Sequence, residues 1–354
     1  MRHSRLIHLN NMPLPDKTQI RPPLDSSPTM LGPGSVLAGK YEIEREIARG
    51  GMGVVYLAHQ AGLARQVAIK VVAPSLASSP DFARRFRREA IALAQLRHSN
   101  IVSVHDFAEE PGLVYLVMDF VSGGNLEEYV ARFGQPQGLP LDEAVHFAEQ
   151  LLSGLAHAHR SGIIHRDIKP ANLLLEDDRE LRISDFGLAQ VRTDLASQSV
   201  VVSPVMREQE NTQSVAGTID FMAPEVRRGL LADQRADIYA AGIIIYWLCC
   251  GERPGPLSLP LSRRAAQKGL HSGWDRFMAR ALAESVEARF QSAGEMLAAL
   301  RELKGSKAPN VRREDLPTAT VLGRNPLLKK LTLAGVVLGI ALLIAMAILM
   351  AKNL

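Results

Sequence analysis

The hydrophobic period of this chain changes partway along it. From Tyr41 the apolar residues alternate: Tyr41, Ile43 and Ile47 fall on odd positions between charged residues, and Val54-Val55-Tyr56-Leu57 and Val67-Ala68-Ile69-Lys70-Val71-Val72 follow after short breaks. A period of two belongs to strands with one buried face, so this stretch predicts a small antiparallel sheet. Ser79-Pro80-Asp81 then offers an N-cap, a proline suited to the first turn and a carboxylate near the positive end of the dipole, opening a helix through about Leu96. After the strand-like Val114-Tyr115-Leu116-Val117-Met118 the period becomes mostly helical. Residues 141–160 carry Ala144, Phe147, Leu151 and Leu155 on one face, with Gly162 placed as terminator. The apolar run 238–250 is too short to cross a bilayer and reads as a buried core helix. Helices at 274–282 and 292–303 complete an α+β chain whose length allows one large domain or two lobes, with no internal repeat.

Charge is distributed unevenly along the 354 residues. The net +4 conceals ends in which residues 1–40 carry five basic and two acidic side chains and residues 304–354 carry eight and two. Residues 41–303 carry 28 basic and 33 acidic side chains, a net of −5. A nucleic-acid binder concentrates positive charge on its folded domain, so no nucleic-acid partner is expected. Cys249 and Cys250 are adjacent and lack metal-site spacing, which predicts a reduced, buried pair.

The first forty residues hold six prolines between Pro13 and Pro33 and no sustained apolar period, and read as a disordered leader without a secretory signal. Met12 and Met30 are alternative starts. Residues 331–351 contain no charge and a single hydroxyl, Thr332. At 1.5 Å per residue they span roughly 31 Å of helix, against a hydrocarbon core of about 30 Å. This predicts a single transmembrane helix contacting membrane lipid, with a buried core helix as the competing reading. Arg324, Lys329 and Lys330 on its N-terminal side, against Lys352 alone on the other, place the large domain in the cytoplasm. Gly335 and Gly339 form a GxxxG, with Ala341 and Ala345 at the same spacing, a candidate homodimer face. The basic linker 304–330 also offers contacts to anionic headgroups, and a plain topology signal explains the last two lysines equally well.

Chemistry concentrates in four places. Arg49-Gly50-Gly51-Met52-Gly53-Val54-Val55 lies between strand candidates, where glycines let a backbone approach an anionic ligand; a simple hairpin turn would use them as well. Glu89 is i+7 from Phe82, i+3 from Phe86 and four before Leu93, so a carboxylate rides the apolar stripe of its helix. Such a charge needs a partner, and Lys70, on an apolar strand, would supply one and reach phosphates. Asp167 and Asn172 sit five residues apart on one loop. Asp185 follows a short strand pair around 176–180. Asn172 and Asp185 are oxygen donors suited to magnesium, and Asp167 is placed to accept a hydroxyl proton.

Val67-Ala68-Ile69-Lys70, His165-Arg166-Asp167, Asp185-Phe186-Gly187 and Ala223-Pro224-Glu225, in this order, resemble the eukaryotic-type (Hanks-type) Ser/Thr protein kinases of bacteria over about 41–303. The resemblance implies a two-lobed protein-kinase fold: an N-lobe of small antiparallel sheet plus helix over about 41–118, and a mainly helical C-lobe over about 121–303. It implies ATP and Mg2+ as cofactors and protein substrates. The ATP site would comprise Ile47, Ala48, Gly50, Gly51, Met52, Gly53, Val55, Ala68, Lys70 and Glu89, with Met118 as gatekeeper and Asp119 to Val121 as the hinge. Asp167 and Lys169 would be catalytic, and Asn172 and Asp185 would hold the metal. His165 would support its loop, Arg166 would receive an activation-loop phosphate, Glu225 would pair with Arg289, and Asp237 would hold the catalytic loop. Thr212 and Ser214 are the autophosphorylation candidates, and Thr218 resembles the threonine that contacts the catalytic aspartate.

Three departures stand out. Ala48 replaces the first loop glycine, the segment between Asp185 and Glu225 is long, and the stretch between Gly251 and Trp274 is short for the family. Relatives often add an extracellular sensor after the membrane helix; only three residues follow residue 351, so the chain is expected to read no extracellular ligand itself. The expected function is a membrane-associated Ser/Thr protein kinase that also phosphorylates itself. The rival reading is a membrane-tethered pseudokinase scaffold, opposed by the intact Lys70, Glu89, Asp167, Asn172 and Asp185. A small-molecule phosphotransferase is opposed by Lys169 and the full activation segment.

Overall fold

The computed structural model describes residues 31–110, 113–134, 136–176, 179–186, 220–255 and 259–305. The leader to residue 30, the segment with Thr212, Ser214 and Thr218, and the expected linker and membrane helix beyond 305 lie outside the described residues. Among the described residues, no helix is long and apolar enough to cross a membrane.

The upper lobe is an antiparallel six-stranded sheet in the order β1-β2-β3-β4-β6-β5. Its strands are β1 (Val36–Leu37), β2 (Tyr41–Gly50), β3 (Gly53–Gln60), β4 (Arg65–Val72), β5 (Val104–Glu110) and β6 (Leu113–Asp119). The sheet begins earlier than Tyr41: Val36 and Leu37 pair with Glu42 and Tyr41, and Leu37 is buried. Alternation along the strands divides the apolar residues between two cores. Val67, Ile69 and Val71 of β4 join Tyr115 and Val117 of β6 on the outer face. Ala68 and Val72 join Leu116 and Met118 on the inner face, against helix α2. Between β4 and β5 lie the one-turn α1 (Pro74–Ala77) and α2 (Pro80–Ala94). Ser79 caps α2, its hydroxyl accepting from the Phe82 amide at 3.4 Å, and Phe82, Phe86, Ala90 and Leu93 are its buried stripe.

The lower lobe is mainly helical, as its period predicts. It contains α3 (Leu126–Phe133), α4 (Leu141–Arg160), the small hairpin β7 (Leu173–Leu175) and β8 (Leu181–Ile183), α5 (Pro224–Arg227), α6 (Gln234–Cys250), α7 (Leu261–Arg264), α8 (Ser272–Ala281) and α9 (Ala293–Gly305). The apolar run 238–250 is the body of α6, buried nearly all round and packed against α4. Cys249 and Cys250 are free and buried, and burial pushes their thiols up to about 12 and about 11. The short stretch after α6 is pinned by Lys268. Its ammonium donates to the carbonyls of Gln137 (2.7 Å), Leu139 (2.6 Å) and Cys249 (2.5 Å), satisfying the carboxyl end of α6 where cations are favoured.

Candidate active site

The pleat of the sheet decides which side chains line the cleft. With Ile69 and Val71 committed to the outer core, Ala68 and Lys70 must face inward. Register places Met118 opposite Ala68 and Val55 opposite Lys70. Ile47, Met52 and Val55 are half-buried against the same inner core, and Val121 is buried where the chain leaves the sheet.

The glycine-rich turn closes the β2–β3 hairpin: Gly50 pairs with Gly53, leaving Gly51 and Met52 as the two turn residues, with Ala48 opposite Val55. Its glycines serve different ends. Gly53 adopts φ +141°, and a Cβ there would lie 1.9 Å from the Val71 carbonyl oxygen, so the sheet itself requires it. A Cβ at Gly50 would meet nothing within 4 Å.

Lys70 Nζ lies 2.7 Å from Asp185 Oδ1, so its ion pair is with Asp185 and not with the expected Glu89. Glu89 sits half-buried on the inward stripe of α2, as its spacing predicts. Burial works against ionisation of Asp185, but the charge and hydrogen bond of Lys70 outweigh it and hold the carboxyl below the usual range.

Below the sheet, buried Asp237 at the start of α6 organises the loop that begins at His165. Its Oδ2 accepts from the His165 amide and from His159 Nε2, and its Oδ1 from the Arg166 amide, each at 2.8 Å. Burial raises and these donors lower its pKa, and the donors prevail. His165 is fully buried, its Nε2 2.7 Å from the Ser184 carbonyl and its ring 4.6 Å from that of Phe186. The Ser184 amide and hydroxyl both donate to the Asn172 carbonyl, at 2.9 and 3.1 Å. These bonds hold two non-glycine residues in the left-handed region, Arg166 at φ 66° and Asp185 at φ 60°. Each such conformation costs about 1–3 kcal/mol and persists only where surroundings enforce it.

The result is a compact constellation. Asn172 Nδ2 donates to the Asp167 carbonyl at 2.8 Å and to its Oδ2 at 3.2 Å, and Lys169 Nζ lies 3.0 Å from the same Oδ2. Both bonds use the amide nitrogen of Asn172, which leaves its oxygen for a cation. With Asp185 it forms a pair of hard oxygen donors that fits Mg2+. A small apolar cavity behind Met118 is walled by Leu93, Val104, Leu116 and Phe186, and another lies beside Asp167 against Phe221, Met222 and Val226. Glu225 and Arg289 form a buried bidentate pair, both contacts 2.7 Å, beneath this region.

Sequence reasoning missed several residues here. Ser184 carries no motif role of its own, and Arg182 and His105 converge on Asp119, at the end of β6, from 63 and 14 residues away. An arginine on the three-residue apolar strand β8 was the available signal.

A family model described as protein kinase domain matches residues 41–272. The chain is 35% identical over 292 residues to the serine/threonine-protein kinase PrkC of Bacillus subtilis, covering 79% of this chain and 43% of that protein. It is 38% identical over 285 residues to the serine/threonine-protein kinase PknJ of Mycobacterium tuberculosis, covering 75% and 45%. It therefore spans less than half the length of these curated relatives. The crystal structure of the Mycobacterium tuberculosis PknI kinase domain superposes with a TM-score of 0.60 at 32% identity, covering 78% of this chain and 100% of that one.

Proposed function

The chain belongs to the protein kinase family, and from that premise we propose that it is an active serine/threonine protein kinase using ATP and Mg2+. The observation that carries this reading is a pair of adjoining contact sets, Lys70 with Asp185 at 2.7 Å and Asp167 with Asn172 and Lys169 at 2.8–3.2 Å, held together by the Ser184 amide bonded to the Asn172 carbonyl at 2.9 Å. Asp167, oriented by Asn172, accepts the proton of a serine or threonine hydroxyl as its oxygen bonds to the γ-phosphorus and the bond to the ADP oxygen breaks. Lys169, beside Asp167, offsets charge on the transferring group, and Lys70 binds phosphate oxygens at the upper side of the cleft. Asn172 and Asp185 would hold Mg2+, which would supply charge neutralisation to the phosphates when bound.

In the same reading the chain phosphorylates itself, with Thr212 and Ser214 as acceptors, and acts at a membrane. The uncharged length of 331–351 and the basic residues before it support that placement. Retention in the pellet after alkaline extraction tests the anchor, and Gly339→Ile, which would weaken self-association in a membrane reporter, tests the dimer face.

The deciding experiment incubates the full chain with ATP and Mg2+ and reads intact mass beside Asp167→Asn. Phosphate increments are expected in the unmutated chain, with the rate in the variant reduced about 10²–10⁴-fold. ATP binding without increments, on itself or on a protein substrate, would establish the scaffold instead.

A further inference from the structure

The two lobes are joined at the back of the cleft by a closed circuit of hydrogen bonds. It starts at β8, where the Ile183 amide donates to the Asn100 carbonyl and the Val102 amide to the Ile183 carbonyl, both at 3.0 Å. The next residue along, Ser103, exchanges bonds with the hinge: the Asp119 amide donates to the Ser103 carbonyl at 3.0 Å and the Ser103 amide to Asp119 Oδ2 at 3.3 Å. Arg182, the neighbour of Ile183, completes the circuit by donating from Nη1 to the same Oδ2 at 3.3 Å.

We propose that Asp119 and Arg182 are a positioning pair that closes this circuit and sets how tightly the cleft holds ATP. Asp119 is the last residue of β6, in the hinge, where the adenine end of a nucleotide is expected. Arg182 lies in β8 three residues before Asp185, at the metal end. The ion pair therefore links the hinge to the strand that leads into Asp185. The surrounding charges hold it in place: His105 Nε2 lies 2.6 Å from Asp119 Oδ1, Arg65 3.3 Å from His105 and Glu176 3.5 Å from Arg182 Nη2. Burial opposes ionisation of Asp119, but the His105 and Ser103 contacts prevail and keep it a carboxylate.

Both side chains are a quarter exposed, so water still reaches the pair and its loss should cost less stability than that of a sealed pair. Its effect lies in geometry. Lobes rotate about a hinge of a few residues, and loosening that hinge misplaces the adenine contacts relative to the phosphate contacts.

This inference rests on the kinase reading for its kinetics but not for its binding test. In the full chain, Arg182→Met, Asp119→Asn, Arg182→Lys and the Arg182→Met/Asp119→Asn double variant are compared by calorimetric titration with Mg-ATP, by steady-state kinetics and by thermal melting. Arg182→Met is expected to weaken Kd and KM for ATP about five- to tenfold, with kcat held within about twofold and Tm within about 2 °C. Asp119→Asn should act in the same direction, the double variant should add nothing further, and Arg182→Lys should recover part of the loss. An unchanged Kd, additive losses, or a fall in kcat without a change in Kd would overturn the proposal. An unmutated chain that binds ATP without transferring phosphate would overturn the kinase reading and leave the pair to be judged on Kd.

Discussion

Arg289–Glu225 and Lys70–Asp185 are ion pairs of the same length, 2.7 Å, built for different purposes. The side chains of the first are 0% and 10% exposed, and the guanidinium also donates to the carbonyls of Ala283 and Arg235. The side chains of the second are 10% and 36% exposed, with one flank open to the cleft. In both, burial opposes the carboxylate and the cation prevails, holding the acid below its ordinary range. A pair sealed on every side acts as part of the fold. A pair open on one side can exchange its partners for phosphate and metal, which ties it to ligand more than to stability.

The sharpest way to break this contrast is to remove one cation at a time. Arg289→Met leaves the Glu225 carboxylate buried without compensation and should cost about 3–5 kcal/mol in urea unfolding. Adding Glu225→Leu should recover much of that loss, since an apolar pair carries no desolvation penalty. A loss below about 1 kcal/mol would place the pair with surface bridges.

Acid attacks the same foundation. Glu225 and Asp237 are held below their ordinary values of 4.5 and 3.8, so the folded state binds fewer protons than the unfolded chain near those values. Their contribution is present above this range and lost as pH falls through it into the depressed folded values. Urea midpoints should be level from neutrality to about pH 6 and decline below pH 4.5; a midpoint that rose on acidification would contradict the assignment.

In the cleft the order of effects reverses. Lys70→Met should lower phosphotransfer about 10²-fold or more, since an aimed cation is lost where charge is transferred. Its stability cost should be smaller than that of Arg289→Met, because the Asp185 side chain is 36% exposed where that of Glu225 is 10%. A Tm loss matching that of Arg289→Met, with phosphotransfer retained, would erase the distinction between the two pairs.

How much of this was legible follows from the reach of the interactions. Residues 141–160 were bounded correctly because a 3.6-residue period runs unbroken over α4, and the two faces of β4 follow from strict alternation. β5 does not show in the pattern because His105 and Asp106 break its apolar run and are half-buried through partners elsewhere, Asp106 accepting from the Tyr41 hydroxyl at 3.0 Å. β1 is only two residues beside a proline-rich leader. α3 is marked only locally, by the reciprocal capping box of Asn125 and Glu128. At the site, motif spacing identified the charged groups but not which of them meet. The choice of Asp185 over Glu89 by Lys70 depends on how α2 and β8 are placed against the sheet, and no periodicity encodes that.

The contrast between fold and ligand recurs within one turn, where it can be tested most finely. Gly53→Ala drives a Cβ toward the Val71 carbonyl, 1.9 Å away, from a backbone at φ +141° that side chains rarely adopt. It should destabilise the chain by about 1–3 kcal/mol whether or not nucleotide is present. Gly50→Ala meets no atom within 4 Å and no positive φ, so the variant should be level in stability or gain about 0.4–1 kcal/mol by restricting the unfolded chain. Its cost should appear only with ATP, as a raised KM, because a methyl group now occupies the side from which the backbone approaches phosphate. Melting curves with and without Mg-ATP separate the two glycines: the shift on adding nucleotide should shrink for Gly50→Ala and persist for Gly53→Ala. Equal loss of that shift in both would mean that the turn works as one unit, with no division between the glycine the sheet requires and the glycine the ligand uses.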